Sequence, residues 1–434
     1  MSTVDVRPAV ATAGEAGSAR DSLARIVTSH ALAATGMSLP WPFLLAQTWT
    51  VSGDEALLGA AGAARMVPYV LFSWWVARLA DRHGRGRVVV LSLWFRLALL
   101  IGAAAALAGS GAPATMLTVA VGLCALAVAA GTPAYPALVA ALPSVASSAD
   151  LAPRQRATSL LVTVEVASFV VGPALGGLLL GHVAGWTVPL LGAALTGLAR
   201  WLLTPVRLDG PGAGASSALA DPALLSSAAA SKPLPEVASI PRLVLRTMRV
   251  RGAIAAICVV NLVASGLLVA LVPLAQGRWG TATDGYGLAT AGFGFGALAG
   301  PALWWLGRTP VRRVHLGMVA FATTLVVLVG PTGLAPTIVV LVIAGAVAVH
   351  VEAAATEVLQ DAVPEHVRAG VLGTTDALMV AAAMIGSFVG PIALGLLGAG
   401  RLLVALAAFT IVAGLVALPV VRDDLDPVSP TLPG

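Results

Sequence analysis

Charge is what this chain has least of. Asp, Glu, Lys and Arg make up 10% of its 434 residues, whereas a soluble domain carries roughly 25%. So few charges cannot cover the surface of a water-soluble protein of this size, which excludes the string of soluble domains that length alone suggests. Lysine is almost absent, with Lys232 the only one. A Gly-x-x-x-x-Gly-Lys-Ser/Thr loop for cradling phosphates therefore cannot be built, and ATP-driven transport is excluded. The two cysteines, Cys124 and Cys258, lie far apart inside apolar runs. They form neither a disulfide framework nor a metal pair and read as small core residues. His-Glu-x-x-His is also missing, so no metal and no cofactor is expected. The polar stretch up to Asp21 has no apolar core of its own, and no cleaved signal peptide is expected.

Apolar residues are in excess. They form 58% of the chain, and the mean hydropathy is +0.93. Apolar runs of about 20 residues must be helices in a bilayer, because the backbone there has to satisfy its own hydrogen bonds. The expected fold class is an all-α polytopic membrane protein. Twelve candidate spans follow: Ile26–Thr48, Leu57–Val76, Val88–Ala108, Thr115–Leu142, Ala157–Leu180, Thr187–Leu203, Ala253–Gln276, Gly287–Leu306, Val314–Gly330, Thr337–Leu359, Val371–Leu397 and Leu402–Val420.

Basic residues fix the expected orientation, since basic loops stay cytoplasmic. With both termini inside, that side collects Arg7, Arg20, Arg25, Arg78, Arg82, Arg85, Arg87, Arg154 and Arg156. It also receives the arginines from Arg207 to Arg251, then Arg308, Arg312, Arg313, Arg368 and Arg422. The far side keeps only Arg278 and Arg401. A multi-pass protein of the inner or plasma membrane with cytoplasmic termini is expected. The same distribution explains the +5 net charge without a clustered basic face, so no nucleic-acid partner is expected.

The stretch from Leu208 to Ile240 is rich in Ala, Ser, Pro and Gly and reads as a flexible linker. Arg242, Arg246 and Arg249 follow at helical spacing, as in a segment anchored on an anionic leaflet. This divides the chain into a tail (1–25), a six-helix bundle (26–205), a linker (206–250), a second six-helix bundle (251–421) and a tail (422–434). The halves also repeat. Ser168-Phe-Val-Val-Gly172-Pro173-Ala-Leu-Gly176-Gly177 in the fifth span answers Gly386-Ser-Phe-Val-Gly390-Pro391-Ile-Ala-Leu-Gly395 in the eleventh. Ala140–Pro143 answers Asp361–Pro364, and Trp74-Trp75 answers Trp304-Trp305. Parallel six-span repeats place a substrate path at their interface.

Between the second and third spans stands Ala77-Arg78-Leu79-Ala80-Asp81-Arg82-His83-Gly84-Arg85-Gly86-Arg87. Gly84 suits the turn, and Asp81 among arginines is either a local ion pair or an anion aimed at a helix N-terminus. This loop resembles the signature of the major facilitator superfamily, Gly-x-Leu-Ala-Asp-Arg-x-Gly-Arg-Lys/Arg, with Ala77 in place of the first Gly. The resemblance implies two pseudo-symmetric six-helix bundles and transport of a small-molecule substrate by alternating access. It also implies a gating loop of Asp81, Arg82, Gly84, Arg85 and Arg87 latched on the helix opening near Gly370, beside Arg368.

The fifth span resembles the antiporter motif of the family's drug and metabolite exporters in Gly172, Pro173, Gly176 and Gly177, with Ser159 and Ser168 where that motif has glycines. Export of a drug or natural product is implied; import of a metabolite and a non-transporting sensor or scaffold are the rivals. A packing seam of small residues reads equally well from these residues. A second such seam runs along Gly292, Gly296 and Gly300. A monomer in the lipid bilayer is expected.

Ionisable residues inside spans mark pathways or buried partners. Arg65, Arg96 and Glu165 fall in the first half; His350, Glu352, Glu357 and Asp376 fall in the second, with Asp376 in the first turns of its span. Glu165 is read either as paired structurally with Arg96 or Arg65, or as a proton carrier that they tune. Glu352 is read as a proton or cationic-substrate site, with His350 a titratable neighbour, and Glu357 as cytoplasmic gate or interface chemistry. Asn261, His30, Gln47 and Tyr135 are weaker candidates. The arginine that family antiporters carry in the fourth span is missing from Thr115–Leu142, so proton coupling rests on the resemblance. No nucleophile constellation supports an enzyme, and none is expected.

Overall fold

The computed structural model describes residues 13–71, 84–145, 151–206, 208, 247–279, 283–330, 333–363 and 365–417. Asp81, Arg82, the Trp74-Trp75 pair, most of the linker and the C-terminal tail lie outside the described residues. Among those described the chain is helical throughout, without a strand.

In chain order the helices are α1 (Ala13–Ser38), α2 (Trp41–Ser52), α3 (Glu55–Ala64), α4 (Arg85–Ala108), α5 (Pro113–Gly131), α6 (Ala134–Val145), α7 (Leu151–Leu179) and α8 (Thr187–Leu202). Then come α9 (Met248–Trp279), α10 (Thr283–Ala299), α11 (Pro310–Val327), α12 (Leu334–Ala362), α13 (Glu365–Leu397) and α14 (Ala399–Ala417). A 3₁₀ turn, Gly300–Leu306, extends α10. Among the described residues, five stretches are long and apolar enough to cross a membrane: Arg85–Ala108, Pro113–Val139, Met248–Ala275, Leu334–Ala362 and Val371–Leu397.

Some expected spans are broken, and proline is the recurring cause. Pro40 and Pro42 divide the first span into α1 and α2, and Pro133 separates α5 from α6. Proline removes a backbone donor and collides with the preceding turn. Pro173, Pro273 and Pro391 are accommodated within α7, α9 and α13. Turns between helices use glycines in a backbone conformation that strains any residue with a Cβ: Gly53, Gly84, Gly181 and Gly398 all have positive φ.

Helix bounds differ from the sequence reading in one place that matters. The apolar run predicts span eleven from Val371, with its helix opening near Gly370, but α13 begins at Glu365. Pro364 precedes that start, and an acidic first-turn residue favours a helix N-terminus. Gly370 is therefore inside the helix, Arg368 is in its first turn, and Asp376 lies about three turns in rather than in the first turns.

α1, α4, α5, α6, α7 and α8 pack among themselves, as do α9 to α14. With α2 and α3 packed beside the first group, two large crossings join the halves, α7 on α10 and α3 on α13, and α2 adds smaller contacts to α9 and α10. Both lie near the end of the bundle that carries the Gly53, Gly181 and Gly398 turns. A hydrophobic cluster there mixes Leu45, Leu58, Ala61 and Leu180 with Leu267, Leu271 and Tyr286. Away from the core the helices present large apolar side chains outward, among them Phe95, Trp201, Trp305 and Leu415, each more than half exposed. Such an apolar exterior is the surface of a protein whose solvent is lipid.

Candidate functional site

Close helix approach is written in glycines. On α7, Glu165, Ser168, Gly172 and Gly176 recur at i, i+3, i+7 and i+11 and share one face. That face lies on α1. The Ser38 hydroxyl donates to the Ser168 carbonyl at 2.8 Å, and a methyl group at Gly172 or Gly176 would collide with Ser38 or the Leu39 carbonyl. The Ser29 hydroxyl donates 2.9 Å to the Ala199 carbonyl, fixing α1 against α8 as well. With both neighbours so close, Glu165 is carried to His30: Glu165 Oε2 and His30 Nε2 are 2.6 Å apart. The His30 ring is buried and sits 5.2 Å from the Tyr135 ring of α6.

Glu165 is thus bonded to His30, and neither Arg96 nor Arg65 pairs with it. Arg96 is 5% exposed and donates from Nη1 to the Ala33 carbonyl of α1 at 3.0 Å. Its guanidinium lies against Gly131, where any side chain would strike it. Arg65, at the end of α3, is within electrostatic reach of Tyr69 and Tyr286. Tyr69 in turn is within reach of Glu165 and Arg96. All three tyrosines of the chain therefore gather around these charges. The sequence reading singles out only Tyr135; the signal available for the other two is their rarity.

The second group is less tightly bonded. Asn261 of α9 donates to Glu352 Oε2 of α12 at 3.4 Å and also to the Ile257 carbonyl at 3.0 Å. Asp376 of α13 is within electrostatic reach of Glu352 and of Tyr135, so the two groups adjoin. Glu165, Arg65, Asn261 and Glu352 are each partly exposed although they lie within spans, which outlines a polar space between the helices.

Two residues grouped by sequence are separated. His350, two positions from Glu352, is turned by about 200° around α12; it packs against Gly317 of α11, buried. Glu357 reaches Arg313 of α11 in an ion pair. Gln47 lines a different cavity of about 410 Å³ with Phe43, Met116 and Leu180. Among the described residues no His, Cys, Asp and Glu cluster could hold a metal ion.

The repeated phrase has matching roles in both halves. Gly386 and Gly390 of α13 abut Leu262 and Gly266 of α9, as Ser168 and Gly172 of α7 abut Ser38 of α1. Gly177 meets Gly287 of α10, and Gly395, its counterpart, meets Glu55 at the start of α3. Those are the two crossings between the helix groups. Aligned on Gly-Pro, Glu165 corresponds to Ala383, so the acid is peculiar to the first half.

A bilayer-facing helical bundle with paired glycine crossings over a buried charge cluster is the architecture of a membrane transporter. The chain matches the model of the Major Facilitator Superfamily over residues 26–377, and it belongs to that family, whose transporters carry small-molecule substrates. It is 30% identical over 187 residues to the multidrug efflux pump Tap of Mycobacterium tuberculosis (strain ATCC 25618 / H37Rv) and of Mycobacterium bovis (strain BCG / Pasteur 1173P2). The match spans 43% of this chain and 43% of those relatives. The fold is similar to the crystal structure of a D-xylose-proton symporter, with TM-score 0.70 and 13% identity over 92% of this chain and 97% of that one. It is also similar to the crystal structure of a mutant of the nucleoside transporter NupG, with TM-score 0.63 and 14% identity over 92% of this chain and 98% of that one.

Proposed function

We propose that the protein is a secondary active exporter of the cell membrane. It moves a moderately apolar small molecule outward in exchange for protons, acting as a monomer with both termini cytoplasmic. In this reading residues 26–205 and 251–421 are the two rocking bundles, 206–250 the cytoplasmic linker, and 1–25 and 422–434 the tails. The end where the α7–α10 and α3–α13 contacts seal the two bundles together then faces outward. Glu165 with His30, and Glu352 with Asn261, are the proton and substrate groups; Arg96, Arg65 and Asp376 set the field around them. Asp81, Arg82, Gly84, Arg85, Arg87 and Arg368 form the cytoplasmic latch.

The observation that carries the reading is the position of Gly172-Pro173-x-x-Gly176-Gly177: one face packs on α1, and its last glycine forms the α7–α10 crossing. An exporter-like motif thus occupies a surface that must slide when the bundles rock. The resemblance to a multidrug efflux pump supports the outward direction. Everted vesicles containing the protein and bearing an inward-acid proton gradient should accumulate apolar fluorescent dyes. Accumulation untouched by a protonophore would remove the coupling, and dye movement only in the opposite sense would reverse the direction.

A further inference from the structure

Among the described residues Arg65 is a cation without a counter-ion. No carboxylate there stands within ion-pair distance of it, and its Nε is buried without a hydrogen-bond partner. The acid in reach of its neighbour Tyr69 is Glu165, and that carboxylate is already held by His30 at 2.6 Å. Arg96 differs, because the Ala33 carbonyl receives one of its donors.

The position of Arg65 is equally particular. It follows Gly62 by three residues and shares its face of the second span, and Gly62 abuts Val269 of α9 and Ser387 of α13. Tyr286, also in its reach, is buried and precedes Gly287, which abuts Gly177 of α7. Arg65 therefore stands close to both crossings, three residues from Gly62 and within reach of Tyr286, the neighbour of Gly287. A guanidinium taken out of water is costly unless an anion meets it. Its planar fork fits a carboxylate bidentately.

We propose that Arg65 receives the anionic group of the transported molecule, so that the substrates of this protein are amphipathic acids: an apolar body with one carboxylate. The proposal rests on the transporter reading and narrows its substrate class. The apolar body goes with the apolar composition of the spans, while Glu352 and Asp376, the acids of the second group, disfavour a second negative charge. An acid bound at Arg65 supplies the counter-ion that no described residue provides.

The test uses the purified full chain in nanodiscs and two dyes that differ by one charge: dansylglycine and its methyl ester. The acid should bind at least tenfold more tightly than the ester. Arg65→Gln should erase that preference while leaving ester binding within about twofold, and Arg65→Lys should retain part of it. Should Arg65→Gln fail to fold, the Lys variant and the wild-type comparison still decide the matter. Equal binding of the two dyes by wild type, absence of binding by both, or an undiminished preference in Arg65→Gln overturns the proposal. Dye accumulation in everted vesicles is read separately. If it persists while dansylglycine and its ester bind equally, the acid class fails and the transporter reading stands.

Discussion

His30 and Glu165, 135 residues apart in sequence, meet at 2.6 Å between α1 and α7. The contact joins the first and fifth spans of one bundle at the level where Arg96 bonds the α1 backbone. It places the acid of the first half on a histidine whose other neighbour is Tyr135. Because the same pair of helices carries the Ser38–Ser168 bond, a change in the charge of the pair bears directly on how α1 and α7 pack.

Glu165→Gln removes the charge but keeps the shape. Leaving His30 buried beside a neutral amide should cost about 1–3 kcal/mol, read as a lowered Tm of the purified protein. Proton-driven dye accumulation should fall at least tenfold. A double variant with His30→Gln should lose little more than either single variant, since neighbours in one bond are not additive. Fully additive losses contradict the pairing.

Gly177→Leu places a side chain into the Gly287 backbone. Overpacking of this kind costs typically ~1–3 kcal/mol, and here it falls on the α7–α10 contact between the bundles. The variant should expose the sealed end to membrane-impermeant thiol reagents at a cysteine replacing Leu180, with transport reduced tenfold or more. Unchanged accessibility would remove the crossing from the gate. Gly122→Leu, whose added side chain meets open space, is the control and should transport normally.

Glu352→Gln should flatten the pH profile of transport while preserving dye binding, and Asn261→Ala should shift that profile without abolishing it. An unchanged profile in Glu352→Gln would retire the assignment. His350→Gln, on the α11-facing side of the same helix, should leave the profile intact.

Asp81→Asn tests the latch expected from the loop signature. Turnover should slow severalfold while dansyl-dye binding remains within about twofold. Wild-type turnover would discredit the latch.

Much of the architecture is legible in the chain because it rests on rare residue types. Gly-Pro dipeptides in spans five and eleven mark helices that must approach a neighbour closely, and both do so. Apolar run length locates the helices, though not their breaks: Pro40 and Pro133 interrupt runs whose hydropathy continues across them. The start of α13 escapes such a reading because a helix can begin in polar residues before its apolar stretch. Pairings across spans are not legible, since nothing local to Glu165 distinguishes His30 from Arg96 or Arg65. The separation of His350 from Glu352 is readable from the helical period, which sends residues two apart to different faces.

The central claim is that the two bundles rock about the polar space, opening the end now sealed. Spin labels at Val51 and Leu397, both exposed at that end, measure this by pulsed electron resonance in nanodiscs. Lowering the pH and adding dansylglycine should bring up a second population of longer distances, and Gly177→Leu should favour it without either. One unchanged distance in every condition, in protein that still transports, contradicts the account.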